Sequence, residues 1–358
     1  MVQAMRFVIF GLTVSSSWGN GHATIWRGLC SALAKQGHGV AFYEKDVSYY
    51  RQHRDLAAPP DYTLTLYENW DDIKGNAAAQ LLSADCAIVT SYCPDARSAS
   101  DLVLGCSNLC SVFYDLDTPV TLDTLRRHGE VDYIPSYGLA PFDLVLSYTG
   151  GEAVHQLRCR LGAKHVAPLY GSVDPSIHQR VASNPRFTSD FSYLGTYAAD
   201  RQNQIEEFFL KPASRFPGRK FCLGGALYPT DFPWSSNIYF LRHVAPPEHP
   251  AFYSSSRLTL NVTRAAMAQM GYCPSGRLFE AAACGTPIVS DWWEGLDEFF
   301  EPGSQILIAQ AAEDVIRAIS LSDAELGKFS QAARRHVLAH HTAANRASEL
   351  MKLIEGIA

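Results

Sequence analysis

Short, unbroken apolar runs alternate along the chain with stretches of helical spacing. Residues 7–10, 40–43, 86–90, 110–114, 144–147 and 166–169 show no polar alternation, as expected for strands covered on both faces. Between the first two runs, Trp26, Leu29, Cys30, Leu33 and Ala34 recur at helical spacing, and Gly37 follows as a stop. This strand–helix–strand order predicts a parallel sheet. A helix over 152–160 separates the last two runs of this half.

Residues 171–186 are polar and carry Pro175 and Pro185. A second series follows, with strands predicted at 191–194, 221–223, 258–262, 288–290 and 306–308. Helices are predicted at 200–210 and 277–283, then at 312–320, 323–340 and 343–356. The expected architecture is α/β, with two doubly wound Rossmann-like domains facing a central cleft. Their limits are 1–172, a linker at 173–190, and 191–340, with a last helix at 341–358 returning to the first domain. Ligands of doubly wound sheets sit beyond the carboxyl ends of the strands, where the glycine turns of both halves fall.

Composition narrows the function. The 358 residues are 47% hydrophobic and 18% charged, enough for two buried cores. A formal charge of −6 without a basic run argues against a dedicated nucleic-acid binder. Arg51, His53 and Arg54, and likewise Arg126, Arg127 and His128, read as solvated basic faces. No apolar stretch approaches the roughly 20 residues of a membrane span. The first ten residues read as a strand rather than a signal peptide. Nine cysteines without paired C-x-x-C spacing suggest free thiols in a reducing, cytoplasmic setting.

The most informative segment is Ser275-Gly276-Arg277-Leu278-Phe279-Glu280-Ala281-Ala282-Ala283-Cys284-Gly285-Thr286-Pro287 and the apolar strand after it. It places one carboxylate, Glu280, on an otherwise apolar helix, where burial demands a partner. This segment resembles the donor site of GT-B glycosyltransferases, most of all the CgeB-type, spore-maturation-protein-like branch near the E-x7-E group. The resemblance is good over about 191–308 and weaker before it. It implies transfer of a hexose-type sugar from a nucleoside diphosphate sugar to a hydroxyl acceptor, without a metal or other cofactor. Glu280 would hold the ribose hydroxyls, and Trp292 and Trp293 fall in the loop that touches the donor sugar. The first Glu of E-x7-E falls at Tyr272, which leaves the stereochemical outcome and the sugar open. A nucleotide-sugar epimerase and a non-catalytic nucleotide-sugar binder share the same fold and stay as alternatives. Acceptor, nucleobase and oligomeric state are not written in the sequence.

A diphosphate suits glycine turns at helix starts and nearby cations. Ser275-Gly276 and Gly195-Thr196-Tyr197 are such turns, and Arg277 and Arg201 are the cations. The base is expected near 224–228 by analogy with the fold. In the first half, Gly19-Asn20-Gly21-His22 resembles the glycine-rich first loop of the same fold, with His22 the candidate catalytic base. Gly11, Gly19 and Gly21 do not have dinucleotide-fingerprint spacing. Asp115 and Asp117, two apart at a strand end, are expected to share one face. They look like a D-x-D metal clamp, but the two-domain layout argues against that role. Asp117 is the second candidate base, or an orienter of the acceptor.

Overall fold

The computed structural model describes residues 4–19 and 21–357. The chain divides into two compact units. One comprises the residues up to Gly171 together with those from Ala343 onward; the other is Ser172–Thr342.

The first unit holds a seven-stranded parallel sheet in the order β3-β2-β1-β4-β5-β6-β7. Its strands are β1 (Arg6–Gly11), β2 (Gly39–Lys45), β3 (Thr63–Tyr67), β4 (Cys86–Thr90), β5 (Cys110–Asp115), β6 (Leu144–Ser147) and β7 (Val166–Pro168). The inner strands are mostly apolar because helices cover both faces; every residue of β4 is buried. Val8, Phe10, Val89, Phe113 and Val145 belong to one core cluster. The helix His22–Lys35 buries Trp26, Leu29, Cys30 and Leu33, and Gly37 follows it at φ 92°, a left-handed position that suits glycine.

The helix Ala343–Glu355 completes this unit by packing on His22–Lys35. A Cβ added to Gly28 would lie 3.3 Å from that of Ala343, so the two helices approach closely. Buried Arg346 donates from Nε to the carbonyls of Tyr170 and Gly171, each at 3.2 Å.

The second unit holds a six-stranded parallel sheet in the order β10-β9-β8-β11-β12-β13. Its strands are β8 (Phe191–Leu194), β9 (Phe221–Gly224), β10 (Ile238–Leu241), β11 (Thr259–Asn261), β12 (Ile288–Asp291) and β13 (Leu307–Ala309). Phe191, Tyr193, Phe209, Phe221, Leu260 and Val289 share its core. The helix predicted at 200–210 is a composite. A 3-10 turn at Ala199–Arg201 leads into α-helix at Gln202–Ile205, a π segment at Glu206–Leu210 and α-helix at Lys211–Arg215. Residues 173–190, expected as a linker, fall within this unit and bring it the buried His178.

In each sheet the strand order reverses once, between β1 and β4 and between β8 and β11. Such reversals open a crevice at the carboxyl ends of the strands. The helices that begin at His22 and Thr118 start on that side, because each follows the carboxyl end of a parallel strand, and the helix from Gly276, which follows β11 after the short helix Ala265–Met270, reaches the same side of its own sheet through Arg277.

Candidate functional site

In the second unit, the crevice between β8 and β11 is spanned by Arg277. Its Nη1 donates to the Leu194 carbonyl at 2.8 Å and its Nη2 to the Val262 carbonyl at 3.1 Å. Its Nε donates to Ser275 Oγ at 3.0 Å, so the hydroxyl of the helix N-cap holds the guanidinium rather than capping the helix. Gly195 leaves room for this arrangement: a Cβ at that position would lie 2.8 Å from Arg277 Nη1 and 2.6 Å from the Tyr193 hydroxyl, so one of these side-chain ends would have to shift. Arg201 is buried beside this group and donates from Nη2 to the Thr196 carbonyl, while its Nε has no hydrogen-bond partner. Among the described residues neither guanidinium has a carboxylate within 4.0 Å. Burial pushes the Arg201 pKa down, and the like charge of Arg277 pushes it the same way. Two desolvated cations with neutral partners form a strong anion attractor.

Glu280 lies on the helix Gly276–Ala283, one turn below its start, and is itself buried. Its Oε2 is 3.3 Å from His249 Nδ1 and its Oε1 is 3.8 Å from His178 Nε2. Burial alone would raise its pKa, but the facing imidazoles and Arg277 bring it down to about 2. Burial also lowers the His178 pKa, favouring the neutral ring. Asp291, at the end of β12, turns inward and accepts from the amide and hydroxyl of Thr263 at 3.1 Å. It braces the loop after β11.

In the first unit, His22 begins its helix and its Nε2 lies 2.9 Å from Asp117 Oδ2. Asp117 is the N-cap of the helix Thr118–His128. The His22 Nδ1 is buried without a hydrogen-bond partner, whereas the Asp117 side chain is 26% exposed. Asp117 is thus the member of the pair that a hydroxyl can approach. Behind it, the fully buried Asp115 accepts from the Asp117 amide at 3.2 Å and from Thr121 Oγ1 at 2.9 Å. The two carboxylates, expected to share one face, part: Asp117 is partly exposed and Asp115 is fully buried. Asp115 ends the strand inside the core, and the chain has left extended geometry by Asp117, at φ −136° and ψ 49°. Tyr92, after β4, packs edge-on to His22 at 5.6 Å between ring centroids.

The segment 201–352, under half of the chain, matches the family described as "Glycosyl transferase-like". No curated protein matches the sequence closely enough to count as a relative. Solved structures match over nearly the whole length. An alpha-glucosyltransferase in complex with UDP-glucose and DNA containing an abasic site superposes with a TM-score of 0.73 at 13% identity, covering 99% of this chain and 100% of its own. Sucrose-phosphate synthase from Thermosynechococcus elongatus gives 0.64 at 14% identity, covering 99% of both chains. Anabaena Alr3699/HepE in complex with UDP and glucose gives 0.66 at 11% identity, covering 98% of this chain and 100% of its own. The fold is GT-B. At these identities the likeness establishes the fold and nothing finer.

On this GT-B frame the sequence-predicted residues fall into groups. Arg277, Arg201, Gly195, Ser275 and Gly276 gather around the second unit's crevice, with Glu280 one turn along the helix. Thr196 is exposed and contributes its carbonyl to Arg201; the Tyr197 ring meets Tyr228 at 5.6 Å. Trp292 is 46% exposed, but Trp293 is buried against Phe299, so its ring is core and offers no face to a sugar. Tyr272 sits at φ 47° and packs its ring over Gly295, closing a turn rather than supplying a carboxylate. Gly19 takes φ 69°, where a side chain is strained, whereas Gly21 has open space around it. Asn20 lies outside the described residues.

His178 and His249 were missed in the sequence. His178 sits in a polar, proline-bearing stretch and His249 in another, Pro246-Pro247-Glu248-His249-Pro250. Neither has a local pattern that points at Glu280, 102 and 31 residues away.

Proposed function

We propose that the protein is a glycosyltransferase that moves a hexose-type sugar from a nucleoside diphosphate sugar to a hydroxyl acceptor. The observation that carries this reading is the pair of buried guanidiniums, Arg201 and Arg277, at the carboxyl end of the second sheet, with no carboxylate within 4.0 Å among the described residues. In a chain of net charge −6 such a pair calls for an anion of at least two charges, which the diphosphate supplies. Relatives in fold support it: the alpha-glucosyltransferase structure holds UDP-glucose and the HepE structure UDP and glucose.

In this mechanism the second unit holds the donor. Arg201 and Arg277 bind the diphosphate, with the amides at Gly195 and at the Ser275-Gly276 helix start. Glu280 accepts from the ribose hydroxyls, and exposed Trp292 offers a face to the sugar. As the bond from the anomeric carbon to the diphosphate breaks, negative charge grows on the leaving oxygen, where the two fixed cations stabilise it. This preorganised charge does the work of a divalent ion, so the arrangement requires none. The acceptor oxygen bonds to the anomeric carbon as it gives up its proton. Within the first unit the group fitted to take a hydroxyl proton is Asp117, which His22 orients. The Asp117 carboxylate is the catalytic group, and His22 is a positioning residue.

The test is calorimetric titration with UDP, GDP and their glucose conjugates, on wild type and on Arg201→Gln. Wild type should bind at least one nucleoside diphosphate, and Arg201→Gln should weaken that binding tenfold or more at unchanged thermal stability. No binding of any of these ligands to wild type would remove the proposal.

A further inference from the structure

Glu280 faces two imidazoles across gaps that no hydrogen bond fills. His178 is 6% exposed, and neither of its ring nitrogens has a hydrogen-bond partner. Its Nε2 stands 3.8 Å from Glu280 Oε1, beyond hydrogen-bond reach. On the other side, His249 Nε2 lies 3.3 Å from the Val244 carbonyl. A carbonyl only accepts, so that nitrogen carries the proton. In the neutral ring Nδ1 is then a lone pair, and it lies 3.3 Å from Glu280 Oε2, a second acceptor. Nδ1 is buried without a hydrogen-bond partner. One ligand atom from each of the three residues lies within 4.8 Å of the others.

All three side chains belong to the second unit and are held there by their own surroundings. The His178 amide donates to the Asp174 carbonyl at 2.8 Å, and Asp174 Oδ1 accepts from the Ser176 amide and hydroxyl. His249 sits between Pro246-Pro247-Glu248 and Pro250. Glu280 is fixed by a helix that buries Leu278, Phe279 and Ala281.

Acceptors set face to face in a buried place need a positive centre between them. A proton serves the 3.3 Å gap to His249 but not the 3.8 Å gap to His178. A metal ion serves both. Two bonds of about 2.0–2.1 Å to zinc, at a tetrahedral angle, set the ligand atoms about 3.3–3.4 Å apart. The His249 gap already has that span, and the His178 gap reaches it with a small shift of one side chain. Two imidazoles and one carboxylate suit a borderline divalent ion such as zinc, whereas magnesium and calcium take oxygen ligands. The Val244 carbonyl supplies the outer hydrogen bond that orients a metal-bound imidazole. Glu280 retains 12% side-chain exposure, which gives the ion an approach.

We propose that His178, His249 and Glu280 form a binding site for a single zinc-type divalent cation. The ion plays no part in releasing the diphosphate, whose charge falls to Arg201 and Arg277. Its effect is on donor binding. The donor reading above gives Glu280 to the ribose, so ion and nucleotide compete for one carboxylate. That consequence rests on the donor reading, whereas the metal site itself does not.

The experiment titrates EDTA-stripped protein with zinc chloride by calorimetry, with magnesium chloride in parallel. Wild type should bind a single zinc ion and no magnesium. His178→Ala and His249→Ala should each weaken zinc at least tenfold, with circular dichroism and thermal melting confirming their folding. His178→Gln and His249→Gln replace an alanine variant that fails to fold. Cobalt chloride gives a second readout: the visible bands of a tetrahedral ion, without the charge-transfer band of a thiolate ligand. Zinc should also weaken UDP binding to wild type and leave that of His249→Ala unchanged. Absence of zinc binding would mean a proton-shared imidazole–carboxylate pair and overturn the site. Equal zinc affinity in wild type and both variants, or a thiolate band, would overturn it too. If zinc binds as expected and UDP affinity does not change, the metal site stands, while the competition and the ribose role of Glu280 fall. If no nucleotide binds to wild type, the glycosyltransferase reading falls and the zinc titrations alone decide the metal site.

Discussion

Asp115 is the most strained titratable group beside the proposed proton acceptor. It is fully buried; Oδ1 accepts two hydrogen bonds and Oδ2 none. Burial raises its pKa to about 6, from an ordinary value of 3.8, against the opposing hydrogen bonds of Thr121 and the Asp117 amide. The folded protein therefore holds this proton more tightly than the unfolded chain. Its contribution to stability is complete below about pH 4 and is lost as pH rises through 6. A proton held that much more tightly is worth about 3 kcal/mol. Asp115→Asn keeps the acceptor for the Asp117 amide and removes the charge. Thermal melts from about pH 4 to about pH 8 should show the variant losing less stability than wild type as the pH rises. The variant should also melt higher than wild type above neutral pH. Parallel curves would show that Asp115 is solvated in a way the burial does not reveal. The residue scale also shows where sequence reading stops. His22 and Asp117 read as rival bases because they are 95 residues apart, and only the ordering of β1, β4 and β5 makes them a hydrogen-bonded pair.

At the scale of elements, the turn after β9 meets the turn after β8 with no space between them. A Cβ on Gly225 would lie 2.0 Å from the Gly195 carbonyl oxygen, a backbone atom that cannot swing away. Gly225→Ala should therefore shift both turns and lower the second unit's melting temperature by several degrees. Gly276→Ala is the matched control, since the nearest atom to its added Cβ is Glu280 Oε1 at 3.9 Å. At a helix start, replacing glycine there should be neutral or stabilising by up to about 1 kcal/mol. Differential scanning calorimetry on the pair checks both; equal melting would refute the close-approach argument. The interior strands were readable because burial on two faces writes an unbroken apolar run, as in residues 86–90. The edge strands β3 and β10 were not. Each pairs on one side only and is mostly partly buried or exposed, so Thr63-Leu64-Thr65-Leu66-Tyr67 carries a weaker signal. Glu280 was readable for a related reason, being one carboxylate in an apolar helix. Its histidine neighbours come from irregular stretches with no period to mark them.

For the whole molecule, the chain order and the unit order differ: the last helix belongs to the unit made by the first 171 residues. It buries Leu350, Met351 and Ile354 along with Ala343 and Ala347, and its Arg346 closes the Tyr170 and Gly171 carbonyls. Three large apolar side chains at roughly 2 kcal/mol each amount to about 6 kcal/mol, within the range of an entire domain's stability. The first unit is therefore incomplete until the carboxyl-terminal helix arrives, whereas Ser172–Thr342 holds every proposed donor-binding residue. A chain ended after Thr342 should separate the two consequences. Limited proteolysis should cut it within residues 1–171 at protease levels that leave the full chain intact, and calorimetry should show a lowered or missing first-unit transition. UDP binding, carried by Arg201, Arg277 and Glu280, should survive within about threefold. A truncated chain as protease-resistant as the full one would mean that the helix decorates the first unit instead of completing its core. Loss of UDP binding with an intact second-unit transition would mean that donor binding draws on residues outside Ser172–Thr342.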